Sequence, residues 1–161
     1  MIREATIADV PKIFDLGQEM LNRMYGLGRV RVNREEGYRD MRMLINSKTG
    51  LVVIDVDAEG NLLGVLAAQR VKQIFTDHWY CVDQAFFVQE NKPISALKLV
   101  RHFLWWAQQQ KGVNEAIVNV THGLGDPERM RVMYEKLGMT HLGGSFGVRF
   151  NKLAVVEQEA A

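Results

Sequence analysis

The sequence contains one cysteine, Cys81, so no disulfide can form within the chain, and a reducing compartment suits it. It has no excess of charge. Twenty basic residues against nineteen acidic ones leave a net +1, which gives no electrostatic footprint for nucleic acid or an anionic membrane. Its four histidines (His78, His102, His122 and His141) are scattered without H-x-x-H spacing, so no metal site is expected. Neither a G-x-S-x-G nor a G-x-x-x-x-G-K-[ST] pattern occurs. No apolar run approaches the roughly 20 residues of a membrane helix. The opening "MIREATIADVPKIF" reaches Arg3, Glu4 and Asp9 before any apolar run develops, so no secretory signal is read there. The expectation is a cytoplasmic protein without nucleic acid, membrane or metal among its partners.

What is present is an ordinary globular composition: 47% hydrophobic and 24% charged residues over 161 positions, enough for a sizeable core. Residues 1–5 read as a short strand. Thr6 with Asp9 approaches a capping box for a first helix carrying Val10, Ile13, Phe14, Leu21 and Met24, broken at Gly26 and Gly28. Asn33 with Glu36 caps a second helix whose buried stripe is Tyr38, Met41, Leu44 and Ile45. Residues 51–71 read as a hairpin turning at "AEGN", and 79–88, "WYCVDQAFFV", as a further strand that buries Cys81 as a small hydrophobe. Pro93 fits the first turn of a long helix with Ile94, Leu97, Val100, Phe103, Leu104 and Ala107 on its core side. Of the adjacent Trp105 and Trp106, about 100° apart on a helix, one should be core and one partly exposed. Residues 115–120 make another strand. Asp126 caps a helix that starts at Pro127 and stops at Gly138, with Met130, Met133, Tyr134 and Leu137 on one face. "THLGGSFGVRF" is a terminal strand or hairpin. This order predicts an α/β protein with a mixed sheet layered by helices, one domain over 1–153 and a flexible tail over 154–161.

Two segments carry the chemistry. "DPERMRVMYEKLGM" (126–139) is physically a well-capped helix with a tyrosine on its apolar face, and a packed tyrosine needs no further role. "FFVQENKPISALKLVRHFLWWAQQQKG" is a strand, a short polar break and a long helix opening on proline. The "MYEKLGM" portion resembles the Y-E-K-L-G-F signature of the Gcn5-related N-acetyltransferase family, and the second segment resembles the strand, loop and helix with which that family grips acetyl-coenzyme A. The wording "DPERM…MYEKLG…LGGSF" is also similar to acetyltransferase-like proteins of tailed phages.

The resemblance implies a sheet of six or seven mostly antiparallel strands with a splayed central pair, flanked by four helices. It implies acetyl-coenzyme A as cosubstrate, with the pantetheine arm paired along the splayed strand and the pyrophosphate on amides at a helix N-terminus. Tyr134 matches the tyrosine that protonates the departing thiolate, and Asp83 is the best-placed carboxylate to take the amine proton, although Gln84 stands beside it. Cosubstrate contacts fall on Phe87, Val88, Lys92, Pro93, Ile94, Ser95, Ala96 and Leu97, with Asn119 on the next strand as a compensating polar group or a hydrogen bond across the splay.

The chain departs from the family in that loop. The pattern R/Q-x-x-G-x-G/A falls on Asn91, Ile94 and Ala96, or in the other register on Lys92, Ser95 and Leu97, and neither register has the glycines that let amides approach the pyrophosphate. Pro93 also removes a donor. Pro127 and Met130 replace the family's N-x-x-A. Arg29, Arg31 and Arg34 lie where the family shapes its acceptor site, and they could draw an acidic acceptor or simply be solvated. Two functions stay open: an N-acetyltransferase acting on a small-molecule or protein amine, and a non-catalytic binding or structural protein of the same fold with weakened or lost coenzyme affinity. A homodimer partner belongs with either.

Overall fold

The computed structural model describes residues 1–26, 30, 32–119 and 126–143. The chain falls into two compact units, Met1–Gly17 with Asn33–Asn119, and Gln18–Val32 with Val120–Ala161.

The first unit is built on a five-stranded sheet in chain order: β1 (Ile2–Glu4), β2 (Gly50–Val56), β3 (Leu62–Lys72), β4 (Trp79–Val88) and β5 (Val113–Ile117). Neighbours are antiparallel except β4 and β5, which run parallel. Residues 51–56 of β2 are all buried, so both faces of that strand are covered, and its sequence is apolar apart from Asp55. Two helices pack on it, α2 (Arg34–Asn46) and α3 (Pro93–Gln108), the latter lying over β2 and β3. The hairpin between β2 and β3 turns through Gly60 at φ +81°, where a side chain would be strained, and Asp57 takes the Asn61 amide at 2.7 Å.

Local signals set the helix starts. A 3₁₀ turn at Ile7–Asp9 leads into α1 (Val10–Tyr25). Asp9 accepts from the Thr6 amide at 2.8 Å and binds Arg3 through both carboxylate oxygens at 2.7 and 2.8 Å. The Arg3 guanidinium therefore holds the Asp9 carboxyl far below the usual carboxylate range, against the cost of its burial. Asn33 accepts from the Glu36 amide at 3.2 Å, as its spacing predicts. Gly26, at φ +91°, ends α1, while Gly28 lies outside the described residues.

Several sequence expectations shift. The α3 core side is Ser95, Leu99, Val100, Phe103, Trp106 and Ala107. Ile94 is 66% exposed, and Leu97 and Leu104 are only half-buried. Val100, Phe103 and Ala107 are buried as expected, while packing on the sheet takes Ser95, Leu99 and Trp106 in place of Ile94, Leu97 and Leu104. Trp106 is buried and Trp105 exposed, as expected of the pair. The stripe Tyr38, Met41, Leu44 and Ile45 is half-buried rather than buried. Strand β5 runs two residues earlier than expected and stops at Ile117. Five strands are described rather than six or seven, and the splayed pair stands at one edge of that sheet. Most of the glycine-rich terminal segment, residues 144–150, lies outside the described residues, as does the tail.

In the second unit, α4 (Pro127–Lys136) starts on Asp126, whose carboxylate accepts from the Glu128 amide at 3.0 Å. It closes with Gly138 at φ +80° and the Met139 amide on the Tyr134 carbonyl at 3.1 Å. Tyr134 is its buried side chain, and Met130, Met133 and Leu137 are half-buried.

Candidate functional site

Strand β4 is paired along its whole length on one side only. Its antiparallel ladder with β3 runs from Trp79 to Val88, but the parallel ladder with β5 covers only Trp79 to Val82, opposite Val113 to Ile117. Beyond Val82 the two strands part, and the outer edge of β4 from Asp83 to Val88 has no strand partner among the described residues. Such an edge presents a row of N–H and C=O groups that an extended chain can pair with. Five steps of strand make it about 17 Å long.

A side chain closes the vertex of the opening. Asp83 Oδ1 accepts two hydrogen bonds from Asn119, one from the backbone amide at 2.8 Å and one from Nδ2 at 2.7 Å. The first replaces the ladder bond lost where β5 ends. The sequence reading had left such a bond across the splay open, and the structure makes it. Burial pushes the Asp83 carboxyl above its ordinary value, and the Asn119 donors counter only part of that. Immediately past Asp83 the β3–β4 register slips: Ala67 pairs with Ala85 and Ala68 with Asp83, leaving Gln84 as the extra residue of a bulge. A bulge bends and twists its strand, so β4 turns where its outer partner departs.

The open edge leads to the start of α3, where the loop residues take different places. Asn91 stands at φ +59°, the left-handed conformation for which glycine is normally needed and which Asn tolerates best among other residues. The glycine-free loop thus still makes a left-handed turn, a feature invisible in the sequence because Asn is an ordinary loop residue. Lys92 is the N-cap, with no side-chain cap bond, and no acidic residue stands in the first turn. Helices α2 and α4, in contrast, have Asn and Asp caps followed by glutamates. A cation at the positive end of a helix dipole is unfavourable unless an anion joins it. Ser95 and Ala96 both donate to the Lys92 carbonyl, and Pro93 has no N–H. The backbone donors left at this end, among the described residues, are the amides of Asn91, Lys92 and Ile94.

Lys92, Pro93 and Ile94 are exposed, Phe87, Val88, Ala96 and Leu97 are half-buried, and Ser95 is buried. Ser95 faces inward, beside the fully buried Asp55 of β2, rather than outward to a ligand. Gly64 of β3 makes room here, because a Cβ on it would lie 3.0 Å from the Phe87 carbonyl oxygen and from Leu99. The fold thus gathers Asp83, Asn119, Phe87, Val88 and Lys92–Ala96 along one strand edge and one helix start. Tyr134 is placed on α4 of the second unit.

Other candidates are engaged or inert. Burial pushes the Cys81 thiol up to about 11, so it is not a nucleophile at neutral pH. Arg34 pairs with Asp15 at 3.1 Å and lies 5.0 Å over the Phe14 ring, while Arg29 and Arg31 fall outside the described residues. No group of three or more His, Cys, Asp and Glu side chains is placed to hold a metal, and no helix is long and apolar enough to cross a membrane, among the described residues.

No protein-family model matches this sequence, and no curated protein matches it. Solved structures do. A glucosamine-6-phosphate N-acetyltransferase from Arabidopsis thaliana superposes with a TM-score of 0.70 at 17% identity, over 94% of this chain and 98% of that one. The chain shares the acetyltransferase fold. An aminoglycoside antibiotic 6′-N-acetyltransferase from Acinetobacter haemolyticus gives 0.66 at 14% identity, over 94% and 98% of the two chains. A mutant protein of Bacillus halodurans gives 0.72 at 15%, over 94% and 99%. At such identities the likeness concerns the acetyltransferase fold, and this chain's chemistry has to come from its own residues.

Proposed function

We propose that the chain transfers an acetyl group from acetyl-coenzyme A to an amine. The observation that carries this reading is the edge of β4 without a strand partner among the described residues, which leads from the Asp83–Asn119 bridge to the uncapped start of α3. An extended pantetheine arm fits such an edge as an added strand, and a pyrophosphate fits the amides of Asn91, Lys92 and Ile94 beside the Lys92 ammonium. In the transfer, the amine nitrogen bonds to the thioester carbonyl carbon, the carbon–sulfur bond breaks, the thiolate gains a proton and the new amide nitrogen loses one. Asp83 is the carboxylate for the amine's proton, and its raised pKa favours that task. The sequence resemblance assigns the thiolate's proton to Tyr134.

A second reading rests on the same loop. In one register Ile94 stands where an acetyltransferase loop has glycine, and Pro93 lacks an amide donor, which favours a member of the fold that has lost its cosubstrate. Calorimetric titration of the purified chain with acetyl-coenzyme A separates the two, followed by thiol release with a panel of amines that includes amino sugars. Micromolar binding with amine-dependent thiol release supports the enzyme. Saturable binding without release from any amine, or no binding at millimolar cosubstrate, favours the non-catalytic protein.

A further inference from the structure

We propose that the Asp83–Asn119 bridge is the end wall of the acyl slot and sets the length of acyl group the protein accepts, an inference that rests on the acetyltransferase reading above. The wall is built from two strands that would otherwise separate freely. Pairing of β4 with β5 stops at Val82 and Ile117, and two residues later Asn119 returns both its amide and its side-chain N–H to one oxygen of Asp83. An arm entering from α3 along the β4 edge runs toward this point and meets the carboxylate head-on.

The bridge stops the arm short. Ala67 and Ala68, the ladder partners on the β3 side, are fully buried, and the Asp83 carboxylate, held by two hydrogen bonds from Asn119, bars a chain longer than an acetyl. An apolar tail could pass only by breaking both bonds and leaving a partly desolvated carboxylate without its donors, and such unpaired groups are costly. Asp83 and Asn119 are in this respect specificity-determining residues, whatever part Asp83 has in proton transfer.

The test measures binding, so that turnover does not enter. Dissociation constants for coenzyme A, acetyl-coenzyme A and butyryl-coenzyme A are determined for wild type, Asp83→Ala, Asn119→Ala and Asp83→Asn, with thermal melts to confirm folding. Wild type is expected to prefer acetyl over butyryl about tenfold or more, a difference of roughly 1.4 kcal/mol. Asp83→Ala should abolish or reverse that preference. Asn119→Ala, which keeps the backbone bond, should reduce it partly. Asp83→Asn, whose side-chain oxygen can accept the same two bonds, should restore it. If Asp83→Ala does not fold, Asn119→Ala and Asp83→Asn decide between them. One acyl preference common to all folded variants overturns the wall while leaving the acetyltransferase reading intact. Failure of wild type to bind even unacylated coenzyme A overturns that reading and the wall with it.

Discussion

Asp83 shows how one side chain can hold a strand edge and have its titration shifted by burial at the same time. Burial raises its carboxyl above the ordinary 3.8, so over the interval above that value the native state binds more protons than the unfolded chain. Stability contributed by this group is therefore fully present below the ordinary value and is lost as pH rises through the native one. An asparagine at this position accepts the same bonds without a charge to desolvate. Asp83→Asn should accordingly be at least as stable as wild type at pH 7, and its advantage should narrow by pH 4. Urea denaturation of both proteins at the two pH values measures this. An advantage independent of pH, or a variant less stable at pH 7, would mean that the charged form is the one the fold favours. The sequence places Asp83 as a carboxylate on the strand 79–88. It could not show the bridge, because the bonded residues are 36 positions apart and only the register of β4 against β5 joins them.

At the scale of elements, legibility followed the range of the interaction. Thr6 with Asp9, Asn33 with Glu36 and Asp126 before Pro127 all act within three residues, and each helix begins where those residues say. Half of the buried face of α3 is legible (Val100, Phe103 and Ala107), and the rest is not, because Ile94, Leu97 and Leu104 are as apolar as Leu99 and Trp106, so only the sheet chooses between them. The loop before α3 read as one that had lost its glycines, yet Asn91 supplies the left-handed turn and Ser95 is turned inward, so Lys92 and Ile94 are the residues left to modulate an anion there. Lys92→Ala should weaken acetyl-coenzyme A binding by about two- to fivefold, the worth of an exposed ion pair of roughly 0.5–1 kcal/mol, with the loss fading at high salt. Ile94→Gly should tighten binding while costing the helix on the order of 0.5–1 kcal/mol. Titration of both variants at low and high salt checks the pair. Affinities unchanged in both would place the pyrophosphate elsewhere.

For the molecule as a whole, the two units divide the proposed roles, cosubstrate binding in the first and the proposed acid in the second. The open edge, the bridge and the start of α3 all belong to the first unit, and Tyr134 belongs to the second. A ligand that binds only the native state stabilises it by RT ln(1 + [L]/Kd), about 2.7 kcal/mol at a hundredfold excess over Kd. For a chain of this length that corresponds to a rise in melting temperature of roughly 5–11 °C. If Tyr134 gives its proton only to the departing thiolate, Tyr134→Phe should show the same rise as wild type with acetyl-coenzyme A. The ring that fills its buried position remains, so the variant should still fold, and its own unliganded melting temperature is the baseline for the rise. Turnover with a confirmed amine should nevertheless fall about 10²- to 10⁴-fold, the usual contribution of a positioned acid. Thermal melts with and without cosubstrate, set beside thiol release, read the two effects separately. Full activity in the variant would reduce Tyr134 to a packing residue. Loss of the cosubstrate-induced rise would instead show that its hydroxyl contributes to binding before any chemistry begins.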